Sequence, residues 1–173
     1  MSDIKFSRIW CYPSSETFSI KPIRGLLERY VDGKYSPLTW IDPFARNSKV
    51  AHITNDLNPN TSADFHLDAL EFLGLYEDNS IDGVLFDPPY SLRQVKECYD
   101  GIGKNLSQHE TRYFFTDLKK EIARVLKPGG TCISFGWNSG GIGKNLGFDI
   151  VEILLVPHGG PHHDTIVTVD VKR

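Results

Sequence analysis

The chain's 173 residues suit a single domain, 1–173, and its 40% hydrophobic and 12% aromatic content is enough for an ordinary soluble core. A net charge of −3 argues against strong nucleic-acid affinity from overall charge alone, and three widely spaced cysteines (Cys11, Cys98, Cys132) suggest neither a disulfide framework nor a zinc knuckle. No apolar run approaches membrane-spanning length and no signal-peptide pattern opens the chain, so a cytoplasmic location is the default expectation.

In chain order, Ser19 can cap a helix in which Ile20, Ile23, Leu26, Leu27 and Tyr30 share one face, with Pro22 tolerated in the first turn and Asp32-Gly33 as the stop. Residues 38–41 read as a short buried strand stopped by Asp42-Pro43, and residues 50–54 as a second, stopped by Asn55-Asp56. Residues 63–66 are ambiguous between strand and helix start. Residues 68–75 look helical, with Leu70, Phe72 and Leu73 turned inward. Residues 83–86 form an apolar strand ending at Asp87, and a long polar loop is expected from Ser91 to about Leu106. Ser107 and Glu110 make a capping-box pattern. The helix they start points Tyr113, Phe114, Leu118, Ile122, Val125 and Leu126 toward a core, and Lys127-Pro128-Gly129-Gly130 stops it. Strands at 131–135, 150–156 and 165–171 follow, the last two joined by a turn rich in Gly, Pro and His.

Strands alternating with helices imply an α/β fold: a mostly parallel sheet with helices on both faces. The last two strands have no helix between them and so form an antiparallel C-terminal hairpin. The intervals from Asp42 to Asp56 and from Asp56 to Ala63 are short for full crossovers, so the first crossovers are expected to be trimmed. Ligands in such sheets bind outside the carboxyl ends of the strands, where Asp42, Asp56 and Asp87 all fall. The hexapeptide Gly-Ile-Gly-Lys-Asn-Leu occurs at 101–106 and again at 141–146. Nothing flanking it matches, so coincidence is preferred to a pair of phosphate-contacting turns.

Asp87-Pro88-Pro89-Tyr90 carries recognisable chemistry. An aromatic amino group is a poor nucleophile because its lone pair is delocalised into the ring. Acceptors on both N–H bonds favour a pyramidal nitrogen that can attack a sulfonium methyl. The Asp87 carboxylate can supply one acceptor and the Pro88 carbonyl the other, held in place by the stiff Pro88-Pro89 backbone. Tyr90 offers a flat face for a flipped-out base. Such catalysis is positioning and electrostatics, with no covalent intermediate.

This motif after an apolar strand resembles that of the adenine-specific amino-methyltransferases of DNA, in their small stand-alone form found in phages and bacteria. The strand layout likewise resembles the Rossmann-like methyltransferases. The resemblance implies S-adenosylmethionine as cofactor and DNA as partner. It places Asp42-Pro43-Phe44-Ala45 at the family's first cofactor motif, with Asp42, Phe44 and Ala45 at the donor. That motif ordinarily continues into a glycine-rich turn. Here Arg46-Asn47-Ser48 follows, so either Asn47 and Ser48 cover for the turn or the donor sits differently. The resemblance further implies Asp56 on the ribose hydroxyls, Asp68 near the donor's adenine and Phe18 near its methionine part. Asp68 as a helix N-cap and Phe18 as a core residue are the competing readings.

No segment is left over for a separate target-recognition domain. Nucleic-acid contacts are therefore expected from Arg93, Lys96 and Lys104 in the loop after the motif, from Trp137, and from His158 in the histidine-rich turn. A metal reading of those histidines lacks acidic or cysteine partners at ligand spacing, so no metal is expected. Sequence specificity is expected to be low, or to depend on a homodimer or partner protein. The alternatives are an RNA amino-methyltransferase acting on guanine or adenine, and a catalytically inactive nucleic-acid-binding relative.

Overall fold

A computed structural model describes residues 3–31 and 38–173; the Asp32-Gly33 stop lies outside the described residues. Among these, the strands are β1 (Lys5–Arg8), β2 (Trp40–Asp42), β3 (Ile53–Thr54), β4 (Ile81–Phe86), β5 (Leu126–Gly136), β6 (Phe148–Val156) and β7 (Thr165–Lys172). The helices are α1 (Lys21–Tyr30), α2 (Ala69–Leu73), α3 (Leu92–Asp100) and α4 (Gln108–Val125). The strands form one sheet in the order β1-β6-β7-β5-β4-β2-β3. β7 runs antiparallel to both β5 and β6, and the remaining pairs are parallel. The expected hairpin is thus β6–β7, with Ile153 opposite Thr168 and Leu155 opposite Ile166.

The sheet has a core on each face. α1 buries Ile23, Leu26 and Leu27 against Leu85, Ile133, Val167 and Val169. On the other face α2 and α4 bury Phe72, Leu73, Leu118 and Ile122 against Val84, Phe86 and Cys132. Burial on both faces is why β4 reads as a continuous apolar run and not an alternating one. Gly83 is needed within it: a Cβ there would lie 2.2 Å from the Trp40 indole, which rests flat on the glycine from β2.

Ser107 starts α4 as expected. Its hydroxyl accepts from Glu110 N at 3.2 Å, and Glu110 Oε2 accepts from Ser107 N at 2.8 Å. The connection from β2 to β3 contains turns and no helix, which is the expected trimming. Residues 63–66 become neither strand nor helix; Phe65 makes one parallel bridge to Asn55.

Two expectations are corrected. The segment 91–106 is not a loop throughout, because Leu92–Asp100 is α3, capped by the Ser91 hydroxyl on Gln94 N. Its buried residues are Val95 and Tyr99, one turn apart, so the apolar signal is thin. β1 was not expected at all. Its exposed four-residue run lacks an alternating pattern, and it is recruited by pairing with β6 and by a Lys5–Glu152 ion pair at 3.1 Å. The two hexapeptide copies also differ in backbone: φ is −61° at Gly101 and 53° at Gly141.

Candidate active site

β2, β3 and β4 are parallel neighbours, so Asp42, Asp56 and Asp87 emerge on one edge. They do not play equivalent parts. Asp42 is fully buried, and its Oδ1 accepts from Phe44 N at 2.9 Å. That bond folds the turn so that Phe44 lines the cleft while Asp42 stays beneath it. Burial pushes the Asp42 carboxyl well above its ordinary value, and the nearby charges of Asp87 and Asp56 push the same way.

Asp56 faces the cleft. Its Oδ2 accepts from Arg46 N and its Oδ1 from Asn58 N, both at 2.9 Å. Each oxygen keeps a further lone pair for a hydroxyl donor. The turn that supplies Arg46 N has no glycine, yet it adopts the left-handed backbone: Arg46 has φ 52°. Asn55, read from sequence only as a strand stop, organises the floor. Its amide donates to Pro43 O (3.1 Å) and Leu67 O (3.0 Å) and accepts from Leu67 N (3.0 Å). The only sequence signal for this was a buried-type strand running into an asparagine.

Asp87 follows β4 and is half-buried on the cleft wall. Tyr90 Oη donates to Asp87 Oδ1 at 2.7 Å, and the Thr17 hydroxyl reaches the same carboxylate. Desolvation raises the Asp87 carboxyl, and the hydrogen bonds from Tyr90 and Thr17 and the charge of Arg46 partly offset that rise. Tyr90 is fixed by Gln94, whose Oε1 accepts from Tyr90 N at 2.7 Å. Trp137 packs edge-on to the Tyr90 ring at 5.6 Å, and His163 packs on Trp137 at 4.4 Å. Thr17 and Gln94 were not singled out from sequence, since nothing in their spacing ties them to the motif, whereas His163 belongs to the histidine-rich turn.

The cleft between these elements has a volume of about 630 Å³. A second hollow of about 360 Å³ adjoins it, lined by Phe18, Ala45 and Ser48 and sharing Thr17 and Arg46 with the cleft.

No family model matches the chain. A curated relative, the type II methyltransferase M.PvuII of Proteus hauseri, is 37% identical over 70 residues, a match spanning 40% of this chain and 19% of the relative. TrmN from Thermus thermophilus superposes with a TM-score of 0.60 at 17% identity, over 89% of this chain and 49% of that one. The 1,6-didemethyltoxoflavin-N1-methyltransferase of Burkholderia thailandensis, with S-adenosylhomocysteine bound, superposes with a TM-score of 0.57 at 13% identity, over 88% and 77% of the two chains.

The chain has the Rossmann-like methyltransferase fold. S-adenosylmethionine is the cofactor expected with it. The residues present fit that group. Methyltransferase-fold strands β2 and β3 bring the Asp56 lone pairs, apolar walls from Phe44 and Leu57, and the Arg46 cation to one cleft. Its size lies within the roughly 300–1,000 Å³ usual for small-ligand sites.

Other expected residues fall elsewhere. Asp68 caps α2, its Oδ1 accepting from Leu70 N at 2.9 Å, and its Oδ2 holds the Tyr99 hydroxyl. It thus acts on the cleft through Tyr99, which lines it. Phe18 packs on Phe135 with ring centroids 4.9 Å apart, at the smaller hollow. Arg93, Lys96 and Lys104 are exposed on and after α3, with Arg93 paired to Glu97 at 2.8 Å. Trp137 is 39% exposed at the rim. His158 is corrected outright: it is buried, with Nδ1 on Cys11 O and Nε2 on the Thr165 hydroxyl, both at 2.8 Å, so it presents nothing to a ligand.

Proposed function

We propose that the chain methylates the exocyclic 6-amino group of adenine in DNA, using S-adenosylmethionine, with low or partner-dependent sequence specificity. The observation that carries this reading is Asp87-Pro88-Pro89-Tyr90 on the wall of the same cleft that Asp56 enters. Acceptor groups for an amino target and hydroxyl-binding groups for a ribose then share one cavity.

When bound, S-adenosylmethionine supplies an electrophilic methyl on a sulfonium sulfur. Asp87 and the Pro88 carbonyl accept the two amino N–H bonds and favour a pyramidal nitrogen. Asp87, or solvent beside it, would take the proton that the amino group gives up on methylation. The Tyr90 ring, backed by Trp137, supports the base by stacking. Arg93 and Lys96, exposed on the helix whose Gln94 and Glu97 line the cleft, contact phosphates in this reading. Sequence specificity is proposed to be low, with a homodimer or a partner protein as the route to anything stricter.

The reading is tested by offering labelled S-adenosylmethionine with duplex DNA, single-stranded DNA and RNA in turn. Label in DNA is expected. Label confined to RNA would transfer the same chemistry to an RNA amino group, and label in none would leave a binding module.

A further inference from the structure

The turn after β2 holds Arg46 at φ 52°, a backbone that glycine adopts freely and other residues resist. The main-chain N–H at this position donates to Asp56, a bond glycine would make equally well. What glycine cannot supply is the side chain. The guanidinium crosses to the segment before α1, where Nη1 donates to Ser15 O at 2.6 Å and Nη2 lies 3.6 Å from Glu16 Oε1. Arg46 therefore stands at the junction of the large cleft and the smaller hollow, lining both.

The other cations at the smaller hollow, Lys49 (3.0 Å from Asp64) and Arg24 (3.9 Å from Glu28), do not reach the large cleft, whereas Arg46 lines both cavities. The Arg46–Glu16 pair is long, and its side chains are 57% and 49% exposed, so it opens at little cost. Asp56 and Arg46 both line the large cleft, and Arg46 also opens onto the smaller hollow, so a donor whose ribose meets Asp56 has room there for its amino-acid end.

We infer that Arg46 binds the α-carboxylate of the donor's methionine end, the charge of one side chain replacing a glycine-rich turn, while Glu16 receives the α-ammonium. The planar fork of a guanidinium suits a carboxylate, and a zwitterion satisfies both halves of the opened pair. The inference rests on S-adenosylmethionine being the donor.

Calorimetric titration of the full chain with S-adenosylhomocysteine and with methylthioadenosine, which lacks the amino-acid end, tests it. Arg46→Gly keeps the left-handed turn and removes only the guanidinium. It is expected to weaken S-adenosylhomocysteine by roughly 10- to 100-fold and leave methylthioadenosine within about twofold. Arg46→Lys is expected to recover part of the loss. Equal weakening of both compounds, or of neither, overturns the role of Arg46 while the donor reading stands. A wild-type chain that binds neither compound removes the donor reading, and this inference with it.

Discussion

The Tyr90 hydroxyl donates to Asp87 Oδ1 at 2.7 Å, so the carboxylate that would receive a target amino group is held by its own motif. In the proposed reaction an incoming amino group takes one of the carboxylate's remaining lone pairs or displaces that hydroxyl, and the base stacks on the Tyr90 ring. Asp87→Ala is expected to lower methyl transfer by at least about 100-fold, the scale of losing one preorganised acceptor. Tyr90→Ala, which removes the stacking face, should cost about 10- to 100-fold. Tyr90→Phe keeps the ring and frees Asp87, and should retain most activity. Steady-state rates on DNA check all three, and a Tyr90→Phe variant as impaired as Tyr90→Ala would contradict the stacking role.

If Asp87 receives the target amino group, it is expected to set the acid limb of the pH profile. Its carboxyl is raised above the ordinary 3.8 by burial, and the Tyr90 hydrogen bond works against that rise. The ionised form is the stronger acceptor for an amino N–H and the one that can take its proton. Activity therefore falls as pH drops through the raised value, and Tyr90→Phe should move the limb to still higher pH. A kcat/KM profile shifted to lower pH in Tyr90→Phe would refute the assignment.

Gly83 is fixed by packing. A methyl group there meets the Trp40 ring at 2.2 Å, and neither central strand can give way easily. Gly83→Ala is expected to destabilise by about 1–3 kcal/mol or more in urea unfolding, as overpacked cores do. An unchanged midpoint would mean that Trp40 does not lie on the glycine.

These predictions draw unequally on sequence and structure. The strand that ends at Phe86, α4 with its capping box and the β6–β7 hairpin were legible because each rests on local chemistry or a long periodic pattern. α3 was not, since Val95 and Tyr99 are its buried residues and the rest is polar. His158 looked available beside other histidines, but it is held by Thr165 at the start of β7 and by the Cys11 carbonyl, the latter far from it in sequence. The left-handed Arg46 and the Asn55 amide bonds depend on the meeting of β2 and β3, which no local pattern encodes.

Asp170 on β7 supplies a stability test away from the cleft. It is fully buried, and desolvation raises its carboxyl to about 6 from 3.8, with the Ile142 amide and Lys119 opposing the rise. A raised folded-state value means that the folded protein binds this proton more tightly than the unfolded chain. The contribution is complete below 3.8 and is lost as pH climbs through about 6. Asp170→Asn cannot ionise, so relative to the wild type it should gain about 1–3 kcal/mol on going from pH 4 to pH 8. Urea unfolding at the two pH values measures this, and an identical difference at both would argue against it.

The most direct measurement of the whole account is the identity of the methylated nucleoside. DNA incubated with the wild-type chain and labelled S-adenosylmethionine is digested to nucleosides and resolved by mass spectrometry. Label is expected in 6-methyladenine, lost in Asp87→Ala while S-adenosylhomocysteine binding persists. Label on a ring carbon or a phosphate, or undiminished 6-methyladenine from Asp87→Ala, would contradict it.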